Sequence, residues 1–258
     1  MHVILGILAL AATLLATIAL EHTQTHFTGL LYGPALLLLL LAPPCVALTS
    51  HGVEQLVDTA KELWRAVRFS PRRSRAQLYD ELTRFAAEFR RGRAAEALAT
   101  VERADHALLR QLGPLVLKRY APEEIERTAS TAGYCLASSM KRAEDVLASL
   151  ARVSPAMGLV GTTLGLIMLL RELQNFEQLG PSMALALLCT LYGLVLANAL
   201  YQPLSRLVHD HAVILQEEAR LLTRALLLIA AEKPLADVRA LFDAPSAEAA
   251  PEPRLALG

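Results

Sequence analysis

The 258 residues are 54% hydrophobic with a mean hydropathy of +0.38, and 25 basic residues balance 25 acidic ones. That balance averages over compartments and says little by itself; the stretch from His51 to Arg152, with 18 basic and 14 acidic residues, is only mildly positive, against the lopsided charge and interleaved aromatics of a nucleic-acid binder. The charges are confined to particular stretches, and the long apolar runs between them mark a membrane protein.

Four segments approach the roughly 20 apolar residues that cross a bilayer as a helix: Val3–Leu20, Leu30–Leu48, Pro155–Leu170 and Met183–Tyr201. The third is the shortest, and a ring of neighbours or a thinned bilayer would accommodate it. The first could be read as a secretory signal, but no Lys or Arg precedes Lys61 and no clear cleavage site precedes Glu21. Its flanks therefore predict a retained helix. Of the 25 cations, 18 fall between His51 and Arg152, six follow Pro203, and only Arg171 lies in a short link. Positive charge stays inside, so the middle region, the C-terminal part and both termini are expected in the cytoplasm. The links at Glu21–Thr28 and Arg171–Pro181 then face outward.

Residues 51–153 read as a cytoplasmic helical domain. Its 18 basic and 14 acidic residues alternate in sign as on a solvated helix surface. Leu78, Leu82, Phe85 and Phe89 recur at helical spacing and predict a buried stripe. Breaks are expected at Ser70–Pro71, Gly92, Gly113–Pro114 and Ala121–Pro122, where Glu123 and Glu124 suit a helix N-terminus.

Residues 154–203 form a pair of spans rich in Gly, Ala, Thr and Ser. Pro155, Gly158, Thr162 and Gly165 share one helical face, as do Ala186, Thr190, Gly193 and Ala197. Smooth, weakly polar faces of this kind pack on each other, on copies of themselves, or on a partner helix, with hydroxyls bonding back to the preceding turn. The sharper reading is an ion path. Neither span has a carboxylate at depth, and hydroxyls alone hold a bare cation poorly, so conduction would require an acid from another chain.

After Pro203 an amphipathic helix is expected over 204–243, and the Ala-, Pro- and Glu-rich 244–258 reads as a disordered tail. Cys45, Cys135 and Cys189 are odd in number and lack metal-ligand spacing, so neither disulfide nor zinc is indicated. His209 and His211 are read as surface residues. No nucleotide loop, nucleophile elbow or carboxylate pair appears, so the expectation is a non-enzyme without cofactor. The fold class is an all-α membrane protein: four transmembrane helices, a helical domain between spans two and three, and a C-terminal cytoplasmic helix.

The runs PAMGLVGTTLGLIMLL, LGPSMALALLCTLYGLVLANALYQPL and AAEKPLADVRALF, in that order and spacing, resemble the flagellar stator A subunits of the MotA/TolQ/ExbB family, in its MotA and PomA branch. The resemblance implies a five-fold homo-oligomer in the bacterial inner membrane, around helices of a MotB- or PomB-like B subunit. That partner has a single span and an intramembrane Asp, which supplies the missing carboxylate. Ion flow then turns the ring against the flagellar rotor protein FliG. The resemblance places Thr162, Thr190 and, beside it, Cys189 on the ion path and makes Pro155 and Pro203 torque-coupling residues. Sodium-driven relatives carry two adjacent threonines where this chain has Cys189 and Thr190. A thiol is a poor ligand for a hard cation, which favours protons over sodium. Arg90, Arg91 and Glu96 occupy the place of the family's rotor-facing charges, offset by about a residue. The alternatives are a TolQ- or ExbB-like subunit that energises the envelope, against which the two N-terminal spans speak, and a non-conducting membrane scaffold.

Overall fold

A computed structural model describes residues 33–171, 174 and 176–243. The span expected over Val3–Leu20, the link at Glu21–Thr28, much of the link at Arg171–Pro181 and the tail expected beyond residue 243 lie outside the described residues. Every regular element among those described is helical.

Helix α1, Gly33–Arg68, begins as an apolar run through Pro43 and Pro44 and is interrupted at Gly52. There φ is 72° and ψ 164°, a conformation open to glycine and strained for other residues. The interruption separates the apolar part from a charged, amphipathic part. Ser70 is extended (φ −123°), as the residue before a proline must be, and Pro71 opens α2, Pro71–Arg90. Gly92, at φ 72°, ends that helix and leads to α3, Ala94–Glu102, then α4, Ala107–Leu117. Two expected breaks are thus formed where they were placed.

The break expected at Gly113–Pro114 is not formed; both residues lie inside α4. A Cβ on Gly113 would lie 2.6 Å from a Val101 methyl, so the glycine serves close packing of α4 on α3 rather than a turn. Helix α5, Pro122–Arg171, starts where the Pro122 and Glu123–Glu124 signal puts it and continues for 50 residues through Pro155. Helix α6, Phe176–Val195, passes through a π-helical turn, Leu196–Tyr201, into α7, Gln202–Ala230, and α8, Leu235–Asp243, follows. Three stretches, Ala35–Arg68, Pro122–Arg171 and Leu179–Ala230, are long and apolar enough to cross a membrane. The runs read from sequence at 155–170 and 183–201 lie inside the second and third of them.

The described residues divide into two compact units, and α5 and α7 contribute to both. In the first, residues 33–68 and 139–212, Ala35 and Leu39 of α1 pack with Leu185, Leu188 and Cys189 of α6. Farther along, Ala47 and Ala66 of α1 meet Ala143, Val146, Leu147 and Leu150 of α5 and Val208 of α7. Leu159, Leu164, Ile167, Leu170 and Leu187 are exposed along α5 and α6, the outward apolar surface a bilayer would cover. Lys141, exposed on α5, has its pKa raised by hydrogen bonds to Asp145 and Glu144.

The second unit, residues 69–138 and 213–243, is cored by Leu78, Leu82 and Phe85 of α2, Val101 of α3, Leu109 and Leu112 of α4, Ile125 of α5, and Leu222 and Leu226 of α7. The predicted stripe is therefore the buried face, with Phe89 half-buried at its edge, 6.1 Å from the Phe85 ring. Ser74 near the start of α2 donates to Glu218 of α7, and Arg90 at its end donates to the carbonyls of Glu232 and Lys233. Helix α2 is thus tied at its start to α7 and at its end to the residues that follow α7.

Candidate functional site: a hydroxyl pair between glycine-faced helices

The two small-residue faces read from the sequence pack on each other. A Cβ on Gly158 would lie 2.9 Å from the Cys189 carbonyl, one on Gly165 2.8 Å from the Ala186 amide nitrogen, and one on Gly193 2.9 Å from the Ser154 carbonyl. Each glycine lets backbone lie on backbone where any side chain would hold the helices apart. Gly161, which is not on the predicted face, does the same for Cys189, whose Sγ would be 2.5 Å from an added Cβ.

Thr162 and Thr190 meet at the centre of this contact. Their hydroxyl oxygens are 2.6 Å apart, and Thr162 Oγ1 also lies 2.9 Å from the Gly158 carbonyl and 3.2 Å from the Ala186 carbonyl. A hydroxyl has one proton to give, so four oxygens share two donors here. The cluster offers lone pairs in an otherwise apolar helix pair, and both threonines are only half-buried. Its open side is where a cation, a proton carrier or a further helix can approach. Cys189, one residue away, is fully buried and turned to Gly161 rather than into the oxygen cluster.

Pro155 and Pro203 end no helix. Pro155 lies within α5, beside Ser154, whose hydroxyl donates to the Leu150 carbonyl. Pro203 is the second residue of α7, just past the π-helical turn, where the Gln202 amide reaches back to the Ala197 carbonyl. A proline has no amide hydrogen for the preceding turn, and a π turn is one way a helix absorbs that loss and continues.

The candidate rotor-facing charges lie in the second unit. Arg91 pairs with Glu88 at 3.0 Å, and Glu96 with Arg93 at 2.6 Å; all of these but Glu88 are exposed. Arg90 is engaged in tying α2 to the residues after α7. The histidines divide: His209 is exposed and lies 3.2 Å from Glu144, whereas His211, read as a surface residue, is buried beside the Val208 face of α7. Among the described residues no cluster of His, Cys, Asp and Glu could hold a metal.

Residues 96–219, which contain both glycine faces and the hydroxyl pair, match the model of the MotA/TolQ/ExbB proton channel family. Motility protein A of Aquifex aeolicus is 44% identical over 82 residues, 32% of each chain. Chemotaxis protein PomA of Vibrio alginolyticus is 45% identical over 53 residues, 20% of this chain and 21% of that one. The chain spans about a third or less of the length of these curated relatives. The fold extends further. The C. jejuni MotAB structure superposes with a TM-score of 0.82 at 22% identity over 96% of both chains. The flagellar MotAB stator complex of Bacillus subtilis gives 0.75 at 16% identity, over 90% of this chain and 92% of that one. Over residues 96–219, just under half of its length, the chain resembles the MotA/TolQ/ExbB proton channel family, and it has the fold found in MotAB.

Proposed function

We propose that this chain is the A-type subunit of a flagellar stator, a multi-pass protein of the bacterial inner membrane that couples ion flow to rotation. The observation that carries the reading is the Thr162–Thr190 hydroxyl pair, held between glycine-faced helices inside the segment that matches the channel family. The pair provides oxygens for an ion to pass but no carboxylate, so a MotB- or PomB-like partner helix with an intramembrane Asp completes the path. Hydroxyls and carbonyls alone leave a cation short of charge compensation in an apolar setting. Five copies around the partner helices, working against the rotor protein FliG, follow from the family resemblance. Both termini and the second unit then lie in the cytoplasm, as the distribution of Lys and Arg indicates.

Protons are the favoured ion. Cys189 stands where sodium-driven relatives have a second threonine, and its thiol is packed against Gly161, away from the oxygens. Pro155, inside α5, and Pro203, at the start of α7 just past the π turn, are the proposed torque-coupling residues. Arg91 and Glu96, with exposed side chains, remain the rotor-facing candidates.

The test is rotation of tethered cells lacking the gene, with and without the intact chain, while sodium is varied at fixed proton-motive force and a protonophore is added. Rotation that needs the gene, stops with the protonophore and ignores sodium supports a proton-driven stator. Rotation that tracks sodium would reverse the ion assignment. Normal rotation without the gene would move the function to envelope energisation or a scaffold.

A further inference from the structure

Arg152 of α5 and Arg206 of α7 line one cleft of about 350 Å³ in the first unit, together with Ala148, Ala151, Gln202 and Ser205. Both arginines are exposed, and among the described residues neither has a hydrogen-bond or ion-pair partner. Other cations of the unit are engaged: Lys61 with Asp58, Arg65 with Glu62, and Lys141 with Glu144 and Asp145. Glu144, whose carbonyl accepts from the Ser205 hydroxyl, turns its carboxylate to Lys141 and His209. Among the described residues, then, no carboxylate lines the cleft. Like charges facing one space disfavour each other, and an anion held between two guanidinium forks removes that cost.

The position of the pair narrows the class of anion. Arg152 precedes Pro155 by three residues and Arg206 follows Pro203 by three, so each stands about one helical turn beyond an apolar run. Ala156, Leu159, Leu166 and Leu170 continue from Arg152 at i+4, i+7, i+14 and i+18, forming one exposed face of α5. Thr163, on the same face, turns its hydroxyl back to the Leu159 carbonyl. A soluble anion would use the cleft alone. A molecule with a phosphate at one end and acyl chains at the other uses the cleft and the apolar face together.

We propose that the cleft binds the phosphate of an anionic phospholipid, with Arg152 and Arg206 on its oxygens and an acyl chain along Leu159 and Leu170. The side-chain amide of Gln202 supplies a further donor, and the alanines at 148 and 151 leave room for the headgroup. The leaflet is the inner one; that sidedness rests on the topology proposed above, whereas the cleft does not. Basic clefts between spanning helices on the cytoplasmic side recognise such headgroups. Each arginine contributes about a fivefold preference for an anionic lipid, and the pair about thirtyfold. The bound phosphate joins α5 to α7 just beyond the π turn.

Native mass spectrometry of the full chain in its membrane complex tests the assignment, with phosphatidylglycerol, phosphatidylcholine and inorganic phosphate added in turn. The expected result is about thirtyfold tighter binding of phosphatidylglycerol than of phosphatidylcholine, with no competition from inorganic phosphate. Arg152→Gln and Arg206→Gln should each lose about fivefold of that preference, whereas Arg142→Gln, at an exposed cation of α5 outside the cleft, should lose none. Arg206→Lys keeps the charge and should keep most of the preference, which separates loss of the site from loss of folding. Equal binding of the two lipids, or an equal loss in Arg142→Gln, would overturn the site. Competition by inorganic phosphate would overturn it in favour of a soluble anion. A preference shown by the chain alone and lost in the complex would overturn it in favour of an acidic segment of the partner chain. The readout involves neither rotation nor ion flow, so failure here and failure of the stator reading are separable.

Discussion

In the second unit, Phe85, Leu82, Leu109, Leu112, Leu222 and Leu226 fill the space between helices with large side chains. In the first, the contact of α5 with α6 is made by leaving side chains out, at Gly158, Gly161, Gly165 and Gly193. The difference follows from the solvent each would meet. In water, burying large apolar groups drives association, whereas lipid is as apolar as leucine and only close packing and internal hydrogen bonds favour contact. The close contact also has a chemical consequence, because it brings two threonine hydroxyls to 2.6 Å.

The comparison breaks most visibly at Phe85. Phe85→Ala should destabilise the second unit by about 3–5 kcal/mol through lost burial and an unfilled cavity, read as protease sensitivity or melting of the full chain. A loss below about 1 kcal/mol would mean that this ring does not organise the core. Next come the glycines. Gly158→Ala and Gly165→Ala should each weaken the helix pair by roughly 1–3 kcal/mol, because the obstructing atoms are backbone and cannot move aside. Gly113→Ala meets only the Val101 side chain, so adding Val101→Ala should restore most of its loss. Failure of that rescue, seen in paired melts, would place the two kinds of glycine on the same footing.

Thr190→Val should have a smaller effect on stability, about 0.5–1.5 kcal/mol, since the residue volume is kept and one hydrogen bond is lost. Under the proposed function it should nevertheless stop or strongly slow ion-driven rotation. Full motility with unchanged ion flux would remove that hydroxyl from the path. The smallest effect belongs to Lys141→Met. Lys141 is exposed, and exposed ion pairs contribute little. Its raised pKa means that what the pair contributes is present through neutral pH and is lost only as pH climbs past the lysine range. Melting at neutral pH should be nearly unchanged, and a large shift there would show a role beyond the surface.

Much of this was legible in the residues. The stripe Leu78, Leu82, Phe85 is buried because a 3.6-residue period leaves one face apolar, and the faces of Gly158, Thr162 and Gly165 and of Ala186, Thr190 and Gly193 meet because small residues at that spacing permit nothing bulkier. The continuity of α5 through Pro155 was not legible, since proline alone signals a break and only the surrounding helix shows that the lost hydrogen bond is tolerated. Gly113 looked like punctuation because its reason lies on another helix, at Val101. Gly161 fell outside the regular face, and the cleft lined by Arg152 and Arg206 joins residues far apart in the chain. His211 is buried because it lies three residues after Val208, on the face that α7 buries, and two histidines at i, i+2 do not by themselves say which of them turns inward.

The turn at Leu196–Tyr201 also works as a vernier. Gly193 lies against the Ser154 carbonyl and Ser205 reaches the Glu144 carbonyl, so twelve residues on one helix are matched to ten on its neighbour. The wide turn takes up the surplus. A residue inserted elsewhere in α6 or α7, with no wide turn to absorb it, would rotate everything beyond it by about 100° relative to the threonine face. The π turn is thus the place in this helix where an extra residue is absorbed, and a single-residue insertion outside Leu196–Tyr201 would mis-set the proposed ion path without touching any residue that forms it.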